Sequence, residues 1–303
     1  MSQLIIDTHQ HLWNLDRVAY PWLVPAFGPI ARTFEPPELA PQLEPAGVTY
    51  TVLVQSDNSY ADTEYMFEMA ATYSWIIGVV GWAPLLYPDV VGRAIERLKK
   101  NPLFRGTRHL IHNEADPKWL LQAEVIEGLK LLAGAGLTFD VVATLPEHME
   151  CIAVLGEKVP NLKMVIDHLG QPPVPTRGLG RWGDDLKAVA ENPNVYGKIS
   201  GLGTTSGNWD GWTADDVRPY VAYAIETFGP DRCMVGGDWP VSVLAGGYVK
   251  AWTAYRSILA DYPVDVQTKV FSGTAIEFYG LELSVVDCFR NDTRDESETH
   301  PDA

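Results

Sequence analysis

Short apolar runs recur along the chain, each followed by a segment of helical periodicity. The runs fall at Leu4–Asp7, Tyr50–Gln55, Ile76–Gly81, Phe104–His109, Thr138–Val142, Lys163–Asp167, Val195–Ile199 and Cys233–Val235. They are rich in Val and Ile, and several are apolar at consecutive positions. Successive strand residues face opposite sides, so such a run is covered on both faces, as in a buried parallel sheet. Between the runs lie amphipathic segments at Tyr60–Thr72, Asp89–Lys100, Leu120–Ala133, Pro146–Lys158, Asp184–Ala190, Ala214–Phe228 and Gly247–Leu259. Leu121, Val125, Leu129 and Leu132 show the spacing that lines one helix face with apolar side chains.

The strand starts advance from Leu4 to Cys233 in seven steps of roughly 33 residues, the length of one strand–helix unit. Eight such units predict an α/β fold, a (β/α)8 TIM-like barrel forming a single domain over residues 1–283. The competing architecture is a doubly wound open sheet, but no Gly-x-Gly-x-x-Gly follows the first strand. Gly201–Gly207 is glycine-rich without that spacing and reads as a mobile loop after the seventh strand. Two connections break the regular spacing. One is Asn14–Pro36, with Tyr20, Trp22 and Phe27; the other is Gln171–Gly183, with three prolines. Both follow the C-terminal ends of strands, where barrels build their sites. Residues 284–303 turn polar and acidic and read as a disordered tail.

Composition narrows the partners. The 303 residues carry a formal net charge of −16, and the last thirteen contribute −4 through five acidic side chains and one Arg. An acidic body repels phosphate backbones and anionic membranes, which argues against nucleic acid and membrane as partners. Cys151, Cys233 and Cys288 lie far apart with no Cys-x-x-Cys spacing and read as buried thiols of a reducing cytosol. No basic, apolar leader is seen before Asp7, so no signal peptide is expected, and no apolar run nears the ~18 residues that span a bilayer. A cytoplasmic enzyme with a small-molecule substrate is expected, and a homo-oligomer is left open.

Polar residues collect at the ends of the apolar runs. Asp7, His9 and His11 alternate in IIDTHQHLW (5–13), so they are expected on one strand face. Gln55 closes the second strand, Trp82 follows the third, and Arg108 and His109 close the fourth. Asp140 sits in the fifth, Asp167 and His168 close the sixth, Lys198 and Ser200 lie at the seventh, and Asp238 follows the eighth. His112 falls just beyond a strand end, while His148 and His300 are expected at the surface. Taken singly, His168 reads as a cap in the Asp167–Gly170 turn and Asp238 as a turn carboxylate after Gly236-Gly237. The convergence of four such groups favours a site. His9, His11, His168 and Asp238 suit one divalent ion, zinc before others. Alternatively, Asp238 holds water as a general base, and catalysis proceeds without metal.

Arg108 suits a carbonyl or carboxylate oxygen, against the alternative of a salt bridge across the mouth. Neighbours in a strand alternate, so His109 can face away from Arg108. Lys198 reads as a substrate contact or an ion-paired strut in preference to a modified metal ligand. Trp13, Tyr20, Trp22, Trp82, Trp209 and Trp239 fall near the expected mouth, where rings stack on the C–H faces of a small ring such as a sugar. Trp13, Gln55, Trp82, Arg108, His109 and Lys198 are the candidate substrate contacts.

These segments resemble the amidohydrolase superfamily, and within it the amidohydrolase-2 branch of sugar-lactone hydrolases of the L-fuconolactonase and L-rhamnonolactonase type. The resemblance rests on IIDTHQHLW, YPWL, VLVQ, VVGWAPL, FRGTRHLIH, FDVV, VIDHLGQPP, YGKISGL and MVGGDWPVSVL, in family order. It implies a distorted barrel that hydrolyses a cyclic ester. His9 and His11 would be the first-strand pair, His168 the imidazole of the DHLG turn and Asp238 the final aspartate, with Arg108 and His109 near the substrate. Some relatives hold one zinc ion, and pyrone-dicarboxylate lactonases work without one. Lys198 and Ser200, with no histidine beside them, depart from the binuclear pattern. The rival readings are a carboxylated lactone of aromatic catabolism, which needs cations such as Arg32, Arg108, Arg177, Arg181 and Lys198, a decarboxylase on the same barrel, and a non-catalytic binding protein.

Overall fold

In the computed structural model, which describes residues 3–283, eight parallel strands alternate with helices. The strands are β1 (Ile6–Gln10), β2 (Tyr50–Val54), β3 (Ile76–Gly81), β4 (Phe104–His109), β5 (Thr138–Val141), β6 (Met164–Ile166), β7 (Val195–Ile199) and β8 (Cys233–Val235), paired in chain order. The helices are α1 (Pro36–Ala46), α2 (Tyr60–Thr72), α3 (Pro88–Leu98), α4 (Ala123–Gly134), α5 (Pro146–Lys158), α6 (Gly180–Ala190), α7 (Leu202–Thr205), α8 (Ala214–Phe228), α9 (Tyr248–Leu259), α10 (Val264–Thr268) and α11 (Thr274–Tyr279). The barrel closes through a parallel bridge between Gln10 and Trp239. Asp238 N donates to His9 O at 2.7 Å, and His11 N donates to Trp239 O at 2.6 Å. This is the (β/α)8 barrel that the run spacing predicts.

Two apolar layers hold it. Ile6, Val52, Val54, Val80, Val165, Tyr196 and Met234 fill the barrel, and Ala275, Phe278, Tyr279 and Leu281 plug one end. The larger cluster packs helices on the outside of the sheet, including Val125, Leu129 and Leu132 of α4. Burying one such side chain stabilises the fold by about 1.5–3 kcal/mol. Cys151 and Cys233 are buried free thiols. Among the described residues, no helix is long and apolar enough to cross a membrane.

Four expectations need correction. Helix α1 is absent from the sequence reading because of its prolines. Pro37, Pro41 and Pro45 share its exposed face, while Leu39, Leu43 and Ala46 are buried. Gly201–Gly207 is not an open loop. It begins with the helical turn α7, where the Thr204 and Thr205 hydroxyls donate to Gly201 O at 2.7 and 3.0 Å. His148 is buried on the inner face of α5 and accepts from Thr144 N at 3.1 Å. Asp7 does not share the face of His9 and His11, because the β1–β2 register shifts between Asp7 and Gln10. It accepts instead from Gly237 N and His9 N, both at 2.9 Å, and from Tyr248 of α9 at 2.7 Å. Burial raises its carboxyl to about 7 against these hydrogen bonds. The expected tail at 284–303, with Cys288 and His300, lies outside the described residues.

Glycine contacts separate packing from propensity. A Cβ on Gly106 would lie 2.2 Å from Thr138 Oγ1 and 2.5 Å from Thr138 O, whereas one on Gly92 meets nothing within 4 Å. Gly106→Ala is expected to destabilise by about 1–3 kcal/mol through overpacking. Gly92→Ala, inside α3, is expected to stabilise by about 0.5–1 kcal/mol. Urea unfolding of both variants measures the contrast.

Candidate active site

Three imidazoles and a carboxylate converge where the strands end. His9 comes from β1, His11 from just beyond it, His168 from the turn after β6, and Asp238 from the segment after β8. The His9 ring centroid lies 4.7 Å from that of His11 and 4.6 Å from that of His168. Asp238 Oδ1 stands 3.7 Å from His9 Nε2 and 3.6 Å from His11 Nε2. His168 and Asp238 adopt left-handed backbones, with φ of 54° and 53°. Each such residue costs on the order of 1–3 kcal/mol and persists only where its surroundings enforce it. Gly201 is part of that enclosure, since a Cβ there would sit 2.6 Å from His168 Nδ1 and 3.0 Å from Asp238 Oδ2.

Each imidazole has its Nδ1 engaged by the protein. His11 Nδ1 lies 2.8 Å from Val54 O, His168 Nδ1 2.9 Å from Ser200 Oγ, and His9 Nδ1 3.2 Å from Asp167 Oδ1. The Val54 carbonyl can only accept, so His11 carries its proton on Nδ1 and presents a lone pair on Nε2. His9 Nδ1 lies 3.2 Å from both the Asp167 carboxylate and the Lys198 ammonium, one an acceptor and the other a donor. Arg108 Nη1 sits 3.0 Å from His9 Nε2, a contact that a cation held by His9 would replace. Burial is the main cause that lowers both pKa values, and Asp238 for His11 and Asp167 for His9 oppose it without reversing it. Both rings are therefore neutral at neutral pH.

The donor set fits a small divalent cation. Ligand atoms of His9, His168 and Asp238 lie within 4.8 Å of one another. The carboxylate–imidazole separations of 3.6 and 3.7 Å are too long for hydrogen bonds. They suit donors about 2 Å from a shared ion. The backing of Nδ1 by a carboxylate, a carbonyl and a hydroxyl is the arrangement that orients metal-binding histidines.

Beneath these groups lies a buried ionic cluster. Lys198 Nζ is 2.6 Å from Asp140 Oδ2 and 2.9 Å from Asp167 Oδ1, and Arg108 Nη1 is 3.3 Å from Asp167 Oδ2. Tyr279 of α11 donates to Asp140 Oδ2 at 2.8 Å. Burial works to raise Asp167, but Lys198, His9 and Arg108 hold it well below the usual carboxylate range. Burial raises Asp140 to about 6 despite Lys198. Burial would lower Lys198, but the two aspartates raise it above its ordinary value. Lys198 is thus an ion-paired strut below the cleft and does not line it.

The cleft above measures about 370 Å³. Trp13, Trp22, Phe27 and Ile30 from the β1–α1 connection form one wall, and Arg108, His168 and Asp238 reach its floor. Gln55, Trp82 and His109 are not among its lining residues. Gln55 Nε2 donates to Arg108 O at 3.0 Å, and Trp82 Nε1 donates to His109 Nδ1 at 3.1 Å. His109 pairs with Glu114 at 2.7 Å and stacks 4.0 Å from Trp119. Alternation within β4 thus sends Arg108 to the cleft and His109 away from it. Of the other aromatics, Tyr20 donates to Asp62 at 2.9 Å, Trp239 packs on Phe34 at the seam, and Trp209 is exposed. The lining also includes His112, Thr144, Gln171, Thr204 and Thr205, none of them a candidate from the sequence. They stand on loops or on single helical turns, too short for a periodicity to mark an inward direction. Their one common signal is position within a few residues of a strand end.

Residues 6–281 match the amidohydrolase family. The chain is 34% identical over 282 residues to L-fucono-1,5-lactonase of Burkholderia ambifaria, spanning 91% of this chain and 96% of that protein. It is 30% identical over 297 residues to L-fucono-1,5-lactonase of Burkholderia multivorans, spanning 93% and 97%. A crystal structure of an amidohydrolase from Burkholderia multivorans with bound zinc superimposes with a TM-score of 0.84 at 27% identity, covering 92% of this chain and all of that one. The chain belongs to the amidohydrolase family.

Proposed function

We propose that this protein hydrolyses a sugar-derived lactone to the open-chain hydroxy acid. The observation that carries the reading is the 34% identity, over nearly the full length of both chains, to a protein named L-fucono-1,5-lactonase. The cleft supports it. At about 370 Å³ it is at the small end for ligand sites and suits a single ring. Trp13 and Trp22 line it, and such rings stack well on C–H faces.

His9, His11, His168 and Asp238 would hold one divalent ion, for which we propose zinc. Bound there, zinc supplies Lewis acidity toward a carbonyl oxygen and lowers the pKa of a bound water. The protein's own groups carry the proton. Asp238 accepts a proton from the attacking water and returns it to the ring oxygen as the ester bond breaks. That second transfer matters because the leaving group is an alkoxide. Arg108 donates a hydrogen bond toward the oxyanion that forms at the carbonyl. Val54 O keeps His11 in one tautomer, Asp167 and Lys198 together hold the His9 ring from its Nδ1 side, and Lys198 keeps Asp167 ionised.

The carboxylated-lactone alternative is weaker because its cations are engaged elsewhere. Arg32 pairs with Glu38 at 2.7 Å, Arg177 with Asp216 at 3.6 Å and Arg181 with Glu150 at 2.6 Å. Lys198 is neutralised below the cleft. Arg108 alone of the five lines it.

Acid release from a panel of aldonolactones, pyrone lactones and muconolactone tests the reading directly. Turnover of sugar lactones and not of the carboxylated rings is expected, with activity lost on chelation and metal content falling in parallel. Activity confined to the carboxylated rings would reverse the assignment. Asp238→Asn is expected to lower kcat by about 10²–10⁴-fold while the circular dichroism spectrum and melting temperature persist. Retention of most turnover would remove Asp238 from the proton path. Asp167→Asn is expected to weaken metal binding by about 10–100-fold, read as metal retained after dialysis against a graded chelator.

A further inference from the structure

The strand order sets which loops face each other across the mouth. With eight strands paired in sequence, β5 stands four places from β1 and so lies opposite it, flanked by β4 and β6. The aromatic wall comes from the β1 side. Trp13 and Trp22 have already spent their only donors, to Arg32 O at 2.6 Å and Ser56 O at 2.7 Å. What they offer the cleft is ring surface.

The loops after β4, β5 and β6 contribute His112, Thr144 and Gln171 to the same cleft. No hydrogen bond ties these three side chains to other described residues; His112 and Gln171 are exposed and Thr144 is half-buried, so all three are open to a ligand in the cleft. The other small polar side chains of the cleft differ. The Thr204 and Thr205 hydroxyls are donated to Gly201 O, and Ser56 Oγ lies 3.4 Å from Leu12 O. The Gln171 backbone is left-handed at φ 60° and its N–H donates to His168 O at 3.0 Å, which holds its Cα beside the cleft while its side chain stays exposed. His112 is exposed at the cleft, and desolvation followed by Arg108 lowers its pKa, which favours the neutral ring. A neutral imidazole offers one donor and one acceptor, an amide two donors and an acceptor, and a hydroxyl both roles. None brings a charge, so the three suit hydroxyl groups better than carboxylates.

We infer that His112, Thr144 and Gln171 form the hydroxyl-reading side of the cleft and determine which polyhydroxylated lactone is accepted. The ring lies with a C–H face toward Trp13 and Trp22 and its hydroxyl edge toward the β4–β6 loops. The inference rests on the lactonase reading and adds its specificity determinants. Discrimination of this kind comes from leaving a site's polar groups unpaired when the hydroxyl is missing or inverted.

The test compares wild type, His112→Ala, His112→Asn, Thr144→Val and Gln171→Ala on two substrates. One is a six-membered aldonolactone that the wild type hydrolyses; the other is δ-valerolactone, the same ring without hydroxyls. The readout is the ratio of kcat/KM on the first to that on the second, so loss of folded enzyme cancels. A fall of about tenfold in that ratio is expected for His112→Ala and Gln171→Ala. It should appear mainly in KM, with a changed order of preference among epimeric lactones and a smaller loss for His112→Asn. An unchanged ratio and an unchanged epimer order in both alanine variants would overturn the inference and leave the lactonase reading standing. A wild type inert toward every sugar lactone would remove both.

Discussion

The barrel closes on its own site. Its seam consists of the bridge between Gln10 and Trp239 and the hydrogen bonds from Asp238 N to His9 O and from His11 N to Trp239 O. The peptide groups that join the first strand to the last segment therefore include those of His9, His11 and Asp238, the groups that converge at the site. Asp7 reinforces the seam from the other side by accepting from Gly237 N and from Tyr248. Gly236 permits the approach, since a Cβ there would stand 2.5 Å from that of His9. Displacing either side of the seam would move the imidazoles and the carboxylate apart together.

A second constraint lies below. Asp140, Asp167 and Lys198 are wholly buried, and Arg108 is nearly so. Removing charges from water costs several kcal/mol per ion unless partners replace the lost solvation. Here each charge meets an opposite one within 3.3 Å. A set of aliphatic side chains would fill this volume at lower cost, so the cluster is poorly explained as stabilisation. It does fix Asp167 and Lys198 against His9 Nδ1, and with them the orientation of the ring. The left-handed backbones of His168 and Asp238 fit the same pattern, in which local cost is retained where geometry is needed.

Most of the frame was legible in the chain. β3, β4, β7 and β8 follow the apolar runs residue for residue, as do α2, α5 and α8. Burial on both faces and helical periodicity are local signals, and they survive in one dimension. Helix α1 was hidden because its three outer prolines resemble a loop in composition while its apolar stripe is short. His148 looked like a surface residue because a single histidine in an amphipathic helix carries no mark of the face it occupies.

The sequence by itself determined the eight-unit barrel, the family, and the convergence of His9, His11, His168 and Asp238, because strand ends of a closed barrel must meet at one mouth. Only the tertiary structure decided what each polar group at that mouth faces. It turned His109 and Trp82 onto each other, sank Lys198 into an ion cluster, sent Asp7 to α9, and brought His112, Thr144 and Gln171 to the cleft. Those directions depend on register shifts, positive-φ turns and partners up to 241 residues apart in the chain, which no periodicity in a single sequence encodes.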